Sequence, residues 1–182
     1  MQNLLAISIK NITWGVGLIV ILTSCQQENK TRKSDAIDAF LNQDIMTMES
    51  EGYTYSKTIN FKDNAESQTS SPNWKDELSF LDSYLVNFRR NNDFSESSLT
   101  FKGNEGSRVF TSLNGDSLVF RFKNKNPVGF RLTLRSNGVF RESHTQLTYK
   151  SLTGYRLVDH NSVLHLFENN IDINSQFIKP NK

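Results

Sequence analysis

The strongest pattern in the chain begins at Trp74. Apolar residues then step through Leu78, Leu81, Leu85 and Phe88 at intervals of four, three, four and three. That spacing lays one apolar stripe along an α-helix. Ser71 suits its N-cap and Pro72 its first turn, where a missing N–H costs nothing. Asp76 and Glu77 near its start, with Arg89 and Arg90 near its end, complement the helix dipole. An earlier helix is predicted from Ser34, with Ile37, Phe40, Leu41, Ile45 and Met48 on one face and Gly52 as its terminator. Met46 and Met48 read as core filler.

The period then changes. Tyr53, Tyr55, Ile59 and Phe61 alternate with Thr54, Ser56, Thr58 and Asn60, which predicts a strand, and only Lys57 interrupts its apolar side. The polar run from Asp63 to Ser70 reads as a loop. From Ser97 onward the pattern is of short strands: Ser97–Lys102, Arg108–Leu113, Ser117–Lys123, Val128–Arg135, Val139–Lys150, Leu152–Asp159, Val163–Glu168 and Ile171–Ile178. Asn114-Gly115 is a two-residue hairpin signal, and it would place Val109, Leu118, Phe120 and Phe122 on one face. Asn126-Pro127, Asn137-Gly138, His160–Ser162 and Asn169-Asn170 read as further turns. At Asn137-Gly138 a two-residue turn would set Leu134 opposite Arg141, so that register is not adopted. Helices followed by an antiparallel meander predict an α+β fold. Two N-terminal helices would pack on a curled meander of about seven strands, a half-barrel or cone.

The N-terminal stretch has another character. One charge, Lys10, precedes an apolar run from Ile12 to Leu22, and Thr23, Ser24 and Cys25 follow. The run is short for a membrane span, which takes about 20 apolar residues. It suits the apolar region of a signal peptide, cut after small residues. Leu22-Thr23-Ser24-Cys25 resembles the cleavage-and-lipidation box of bacterial lipoproteins, and it predicts cleavage between Ser24 and Cys25 with lipidation at Cys25. Cys25 is the only cysteine in the sequence. The expected organisation is therefore a signal peptide over 1–24, a lipidated tether over 25–33 and a single domain over 34–182. The eight residues Gln26 to Lys33, as a flexible coil, reach roughly 15 Å.

Composition narrows the function classes. Without Met1–Ser24 the chain carries 20 basic and 19 acidic residues, a balance that argues against a nucleic-acid partner. With no second cysteine the fold must stand without disulfides. His144, His160 and His165 are the only histidines. Asp159 and His160, adjacent on a strand, would point to opposite faces, and no G-x-S-x-G or H-E-x-x-H pattern accompanies them. Neither a metal site nor a catalytic relay is therefore expected. Asp76 and Glu77 diverge by about 100° on a helix and read as a solvated helix start. Arg108, Arg121, Lys123, Arg131, Arg135, Arg141 and Arg156 fall on different strands. Any that share the exposed sheet face would form a basic patch suited to phosphate or carboxylate groups.

Beyond the lipidation box, the order of features resembles small uncharacterised lipoproteins of Bacteroidota. The resemblance rests on the amphipathic helix, Tyr55-Ser56-Lys57-Thr58-Ile59, the block Trp74-Lys75-Asp76-Glu77-Leu78-Ser79-Phe80, Gly154-Tyr155-Arg156-Leu157 and the closing strands. It implies a diacylglyceryl thioether and an N-acyl chain such as palmitate on Cys25. Gln26 stands where an aspartate would signal retention at the inner membrane, which implies the outer membrane of the cell envelope. It implies no activity, cofactor or catalytic residue. The expectation is a non-enzymatic, membrane-anchored binding module whose partner is an anionic envelope component or a protein. The alternative is a carrier of lipids or other amphiphiles with an apolar cavity.

Overall fold

The computed structural model describes residues 36–62, 64–90, 94–164 and 166–181. The expected cleavage and lipidation site at Ser24 and Cys25, the cap at Ser34 and His165 lie outside these residues. The chain divides into two compact units, Met1–Leu41 and Asn42–Lys182. A helix, α1, occupies 36–51, and its residues Ile37, Phe40, Leu41 and Met48 are buried. Gly52 ends it with φ of +70°, a conformation that favours glycine. Met46 is exposed, so it is not core filler; it stands off the buried stripe.

The second unit is dominated by nine antiparallel strands, more than the seven or so expected. They are β1 (Thr54–Phe61), β2 (Asn64–Ser70), β3 (Ser95–Lys102), β4 (Glu105–Thr111), β5 (Ser117–Lys123), β6 (Asn126–Asn137), β7 (Arg141–Lys150), β8 (Gly154–Val163) and β9 (Phe167–Ile178). Their order across the sheet is β2-β1-β9-β8-β7-β6-β5-β4-β3. The sheet is a meander from β3 to β9 with the β1–β2 hairpin added beside β9, and it does not close. The coarse expectation, helices with a large antiparallel sheet, holds.

Where the stripe predicted one helix, two connect β2 to β3: α2 (Trp74–Leu78) and α3 (Phe80–Arg90), separated at Ser79, the C-cap of α2. The expected cap is displaced. Asn73, not Ser71, receives the N–H groups of Lys75 and Asp76 at 3.1 and 3.4 Å. The stripe Trp74, Leu78, Leu81, Leu85 and Phe88 is wholly buried. Trp74 meets Phe177 at 4.9 Å and Tyr55 at 6.3 Å between ring centroids, and Phe88 meets Phe110 at 5.4 Å. The helices therefore cover one face of the sheet from β1 to β4. Along that face aromatic rings touch in series: Phe110, Phe120, Phe130, Tyr149 and Phe177. The covered side is the inner face below, and the other is the outer face.

Several turns depart from the sequence reading, each for a local reason. The β4–β5 connection is a loop over Leu113–Gly115, with Ser112 and Asp116 joined by a 2.9 Å backbone hydrogen bond and Gly115 at φ +83°. This longer turn shifts the register by one, so that Phe110 lies opposite Leu118 on the inner face and Val109, expected on that face, lies opposite Val119 on the outer one. The β5–β6 turn is Asn124-Lys125, both at positive φ, and Asn126-Pro127 already belongs to β6. The run 64–70 is a strand and not a loop. It pairs with β1 from Tyr55–Ser70 to Phe61–Asn64. His160–Ser162 and Asn169-Asn170 are strand residues, paired with each other in β8 and β9. Leu164 and Leu166 are instead the turn residues. Between β6 and β7 the loop is longer than two residues, and Leu134 faces Thr145.

Candidate functional site

Residues directly opposite one another in antiparallel strands project to the same face. The register therefore assigns every basic side chain to a side. Arg131 of β6 lies opposite Thr148 of β7, which lies opposite Arg156 of β8 and then Asn174 of β9. Parity places Arg131 away from Phe130 and Leu132, so this row is on the outer face. Arg121 heads a second outer row through Gly129, Lys150 and Gly154. Arg135, His144, His160 and Asn170 form a third. Lys123 shares the outer face at the end of β5. The outer side of β5–β8 thus gathers Arg121, Lys123, Arg131, Arg135, Lys150 and Arg156.

Two of the arginines predicted as candidates are on the other side. Arg108 lies opposite Phe120, with Nε 3.5 Å from Glu96, and Arg141 donates to Asn161 at 3.3 Å. On the outer face Arg156 is engaged by Asp172 through two hydrogen bonds of 3.0 and 2.8 Å. Those bonds and that charge raise the guanidinium pKa above its usual value. Among the described residues Arg121, Arg131 and Arg135 make no ion pair, and all three are exposed. They remain available to an external anion.

The third row has the most built geometry. Arg135, His144 and His160, with Asn137, Glu142 and Ser143, line an open depression of about 270 Å³. Adjacent strands stand about 4.8 Å apart, so one guanidinium and two imidazoles span roughly 10 Å. The imidazole Nδ1 of His160 contacts the side-chain oxygen of Asn170, which fixes the ring. Glu142 places one negative charge in the same depression and selects against an anion lying over that corner. A second open depression, about 470 Å³, adjoins Arg121 and Lys123 and is walled by Phe101 and Phe122.

His160 and Asp159 do point apart. Asp159 is on the inner side, accepting from Thr145 at 2.5 Å and Asn161 at 2.6 Å. Among the described residues no group of three or more His, Cys, Asp or Glu side chains is placed to hold a metal ion. No described helix is long and apolar enough to cross a membrane.

Two acidic residues, Glu77 and Asp44, are held tightly. Glu77 is not a solvated helix-start residue. It accepts a hydrogen bond from Tyr155 at 2.6 Å and pairs with Lys57 at 2.6 Å, with only 10% of its side chain exposed. Asp44 of α1, 5% exposed, accepts from Tyr149 at 2.8 Å and from Ser151 at 2.9 Å. Burial pushes the Asp44 carboxyl pKa up, and the hydrogen bonds oppose that push. Burial, then the neighbouring carboxylates, raise both tyrosines well above the ordinary phenol range. A carboxylate already satisfied by tyrosine, serine or lysine clamps a helix to the sheet. The sequence carried a signal for both: each acid falls on the apolar stripe of its helix, Asp44 between Leu41 and Met48, Glu77 between Trp74 and Leu81. No family model matches the chain, and no curated protein or solved structure matches it either.

Proposed function

We propose that this protein is an envelope lipoprotein, held at a bilayer by acylated Cys25, whose domain is a non-enzymatic binding module for an anionic envelope component. The sheet would curl as a half-barrel about α2 and α3, leaving its basic side outward. The observation that carries the reading is the sharing of one face by Arg121, Arg131 and Arg135, none of them in an ion pair within the described residues. Guanidinium forks bind phosphate and carboxylate groups with paired hydrogen bonds. An extended polymer carrying such groups would lie across β5–β8, with His144 and His160 adding donors at one end. The carrier alternative has less support, because the rings of Trp74, Phe130, Tyr149 and Phe177 occupy the covered face where an amphiphile would lie.

Anchoring and binding are tested separately. Radiolabelled palmitate should enter the wild-type protein and not the Cys25→Ser variant; no label in either removes the anchor. For binding, retention on a sulfated polysaccharide column should fall sharply in Arg121→Glu/Arg131→Glu/Arg135→Glu and be unchanged in Arg108→Glu, whose position is on the opposite face. Equal retention of the two variants would refute the basic-face reading.

A further inference from the structure

A meander sends alternate turns to opposite ends of its sheet, and here the two ends differ in chemistry. One end carries the turns at Gly103-Asn104, Asn124-Lys125 and 151–153, which are mostly polar. The other carries the β4–β5, β6–β7 and β8–β9 turns, and at the last two large apolar side chains stand in solvent. Val139 is 89% exposed, Phe140 68%, Leu166 75% and Phe167 71%, with Val163 and Leu164 beside them. This is the reverse of ordinary turn composition, which favours Gly, Asn, Asp, Ser and Pro. The two turns are neighbours, since the N–H of Leu164 donates to the carbonyl of Phe140 at 2.8 Å.

These two hairpins also project. β6 runs on to Asn137, whereas its pairing with β5 stops at Thr133. β9 starts at Phe167, whereas its pairing with β1 starts at Ile171. The strand ladder thus ends four positions short on each flank, about 13 Å of strand; on the β5 side Asp116 of the β4–β5 turn still accepts from the Arg135 N–H at 2.8 Å, so the free projection there is shorter. Polar residues, Asn137, Arg141, Glu142 and Glu168, ring the base of this prong. Backbone groups at its tip are bonded within it: Gly138 N–H to the Arg141 carbonyl at 2.8 Å and Leu166 N–H to that of Val163 at 3.1 Å. Internal satisfaction of these groups is what entry into an apolar medium demands.

We infer that the paired hairpin tips, with Val139 and Phe140 on one and Leu164, Leu166 and Phe167 on the other, form a prong that inserts into the acyl-chain boundary of the bilayer. The inference rests on the anchored reading above, since a tether of about 15 Å holds the domain at a lipid surface. A convex apolar tip over a polar ring has the shape of an interfacial element, which is buried about 5–10 Å. Charge plays a small part, because Arg141 is offset by Glu142 and Glu168. Insertion would hold the sheet upright and leave its basic outer face clear of the membrane.

The test uses the full chain, reconstituted into phosphatidylethanolamine–phosphatidylglycerol vesicles. Phe140→Cys and Leu166→Cys each carry a nitroxide, with Asn124→Cys at the opposite end as the control. Circular dichroism checks that each variant keeps the parent spectrum. Collisions of the 140 and 166 labels with a water-soluble nickel chelate should be at least fivefold fewer than at 124, with more oxygen collisions. Equal nickel access at all three positions overturns the prong. Shielding at 140 that persists without vesicles, with dipolar broadening between labels, also overturns it, because a second copy then covers the tip. A free Cys25 thiol in the parent chain would sink the anchor alone, and the two depths are then read in a Cys25→Ser background with vesicles added.

Discussion

Replacing Tyr149 with Phe isolates the clamp between α1 and the sheet. The substitution keeps the ring, which stacks on Phe130 at 5.5 Å, and removes only the hydroxyl that donates to Asp44 at 2.8 Å. A hydrogen bond to a charged group contributes about 1.5–3 kcal/mol, and a neutral one about 1. At neutral pH we expect a loss of about 2 kcal/mol. For a chain of this size that lowers Tm by about 4–8 °C. The pH dependence sharpens the test. Burial holds the folded pKa of Asp44 above its ordinary value of 3.8. The folded protein therefore keeps this proton more tightly than the unfolded chain does. Stability from this group is full below 3.8 and falls as pH rises through the folded pKa. Removing the Tyr149 donor raises that pKa further, so in the variant the decline continues to higher pH. The gap between wild type and variant should be about 1 kcal/mol in acid and widen to about 2 above both folded pKa values. Urea titrations followed by far-ultraviolet circular dichroism at a series of pH values measure it. A gap under 0.5 kcal/mol at neutral pH, or one constant with pH, would refute the charged-clamp account.

Glu77→Ala should cost about 2 kcal/mol, because it leaves Lys57 and Tyr155 without their shared acceptor in a part-buried site. A double-mutant cycle with Lys57→Met should recover part of that cost, and strict additivity would mean the pair is not coupled. Gly129→Ala should be worse than either. Its added Cβ would stand 2.4 Å from the backbone carbonyl oxygen of Tyr149 in the neighbouring strand, so β6 and β7 must separate. A loss above about 3 kcal/mol, or failure to fold on expression, is expected; a Tm within 2 °C of wild type would contradict that spacing.

What was legible in the sequence follows from where burial leaves a periodic mark. The Trp74–Phe88 stripe was read residue for residue, because one side of those helices meets the core and the other meets water. β2 was not legible. Its residues Asn64–Ser70 are almost all exposed, and an edge strand held through its backbone to β1 needs no apolar alternation. β8 and β9 were cut short at His160–Ser162 and Asn169-Asn170 for a related reason: polar residues imitate turns where strands run past their helical cover. The true turn there, rich in leucine, lacked every composition cue. Arg121, Arg131 and Arg135 could be named as patch candidates from sequence, but their common face needed the register. One added residue in the β4–β5 turn exchanges Val109 for Phe110, and such a slip reverses a whole strand.

Parity also separates the outer face of the sheet, on which binding is proposed, from its core. On β6 the inner positions Phe130 and Leu132 are buried while Arg131 between them is exposed. Charge reversal at Arg131 therefore changes the outer field and leaves the aromatic series from Phe110 to Phe177 untouched. The same argument separates the prong from both faces, because its apolar residues lie beyond the last position paired to β1 or β5. Substitutions at Phe140 or Leu166 should accordingly leave Tm within about 1–2 °C of wild type, the usual small effect of surface changes. A larger drop at either position would mean that the hairpin tips are packed against the fold and are not free to enter a bilayer.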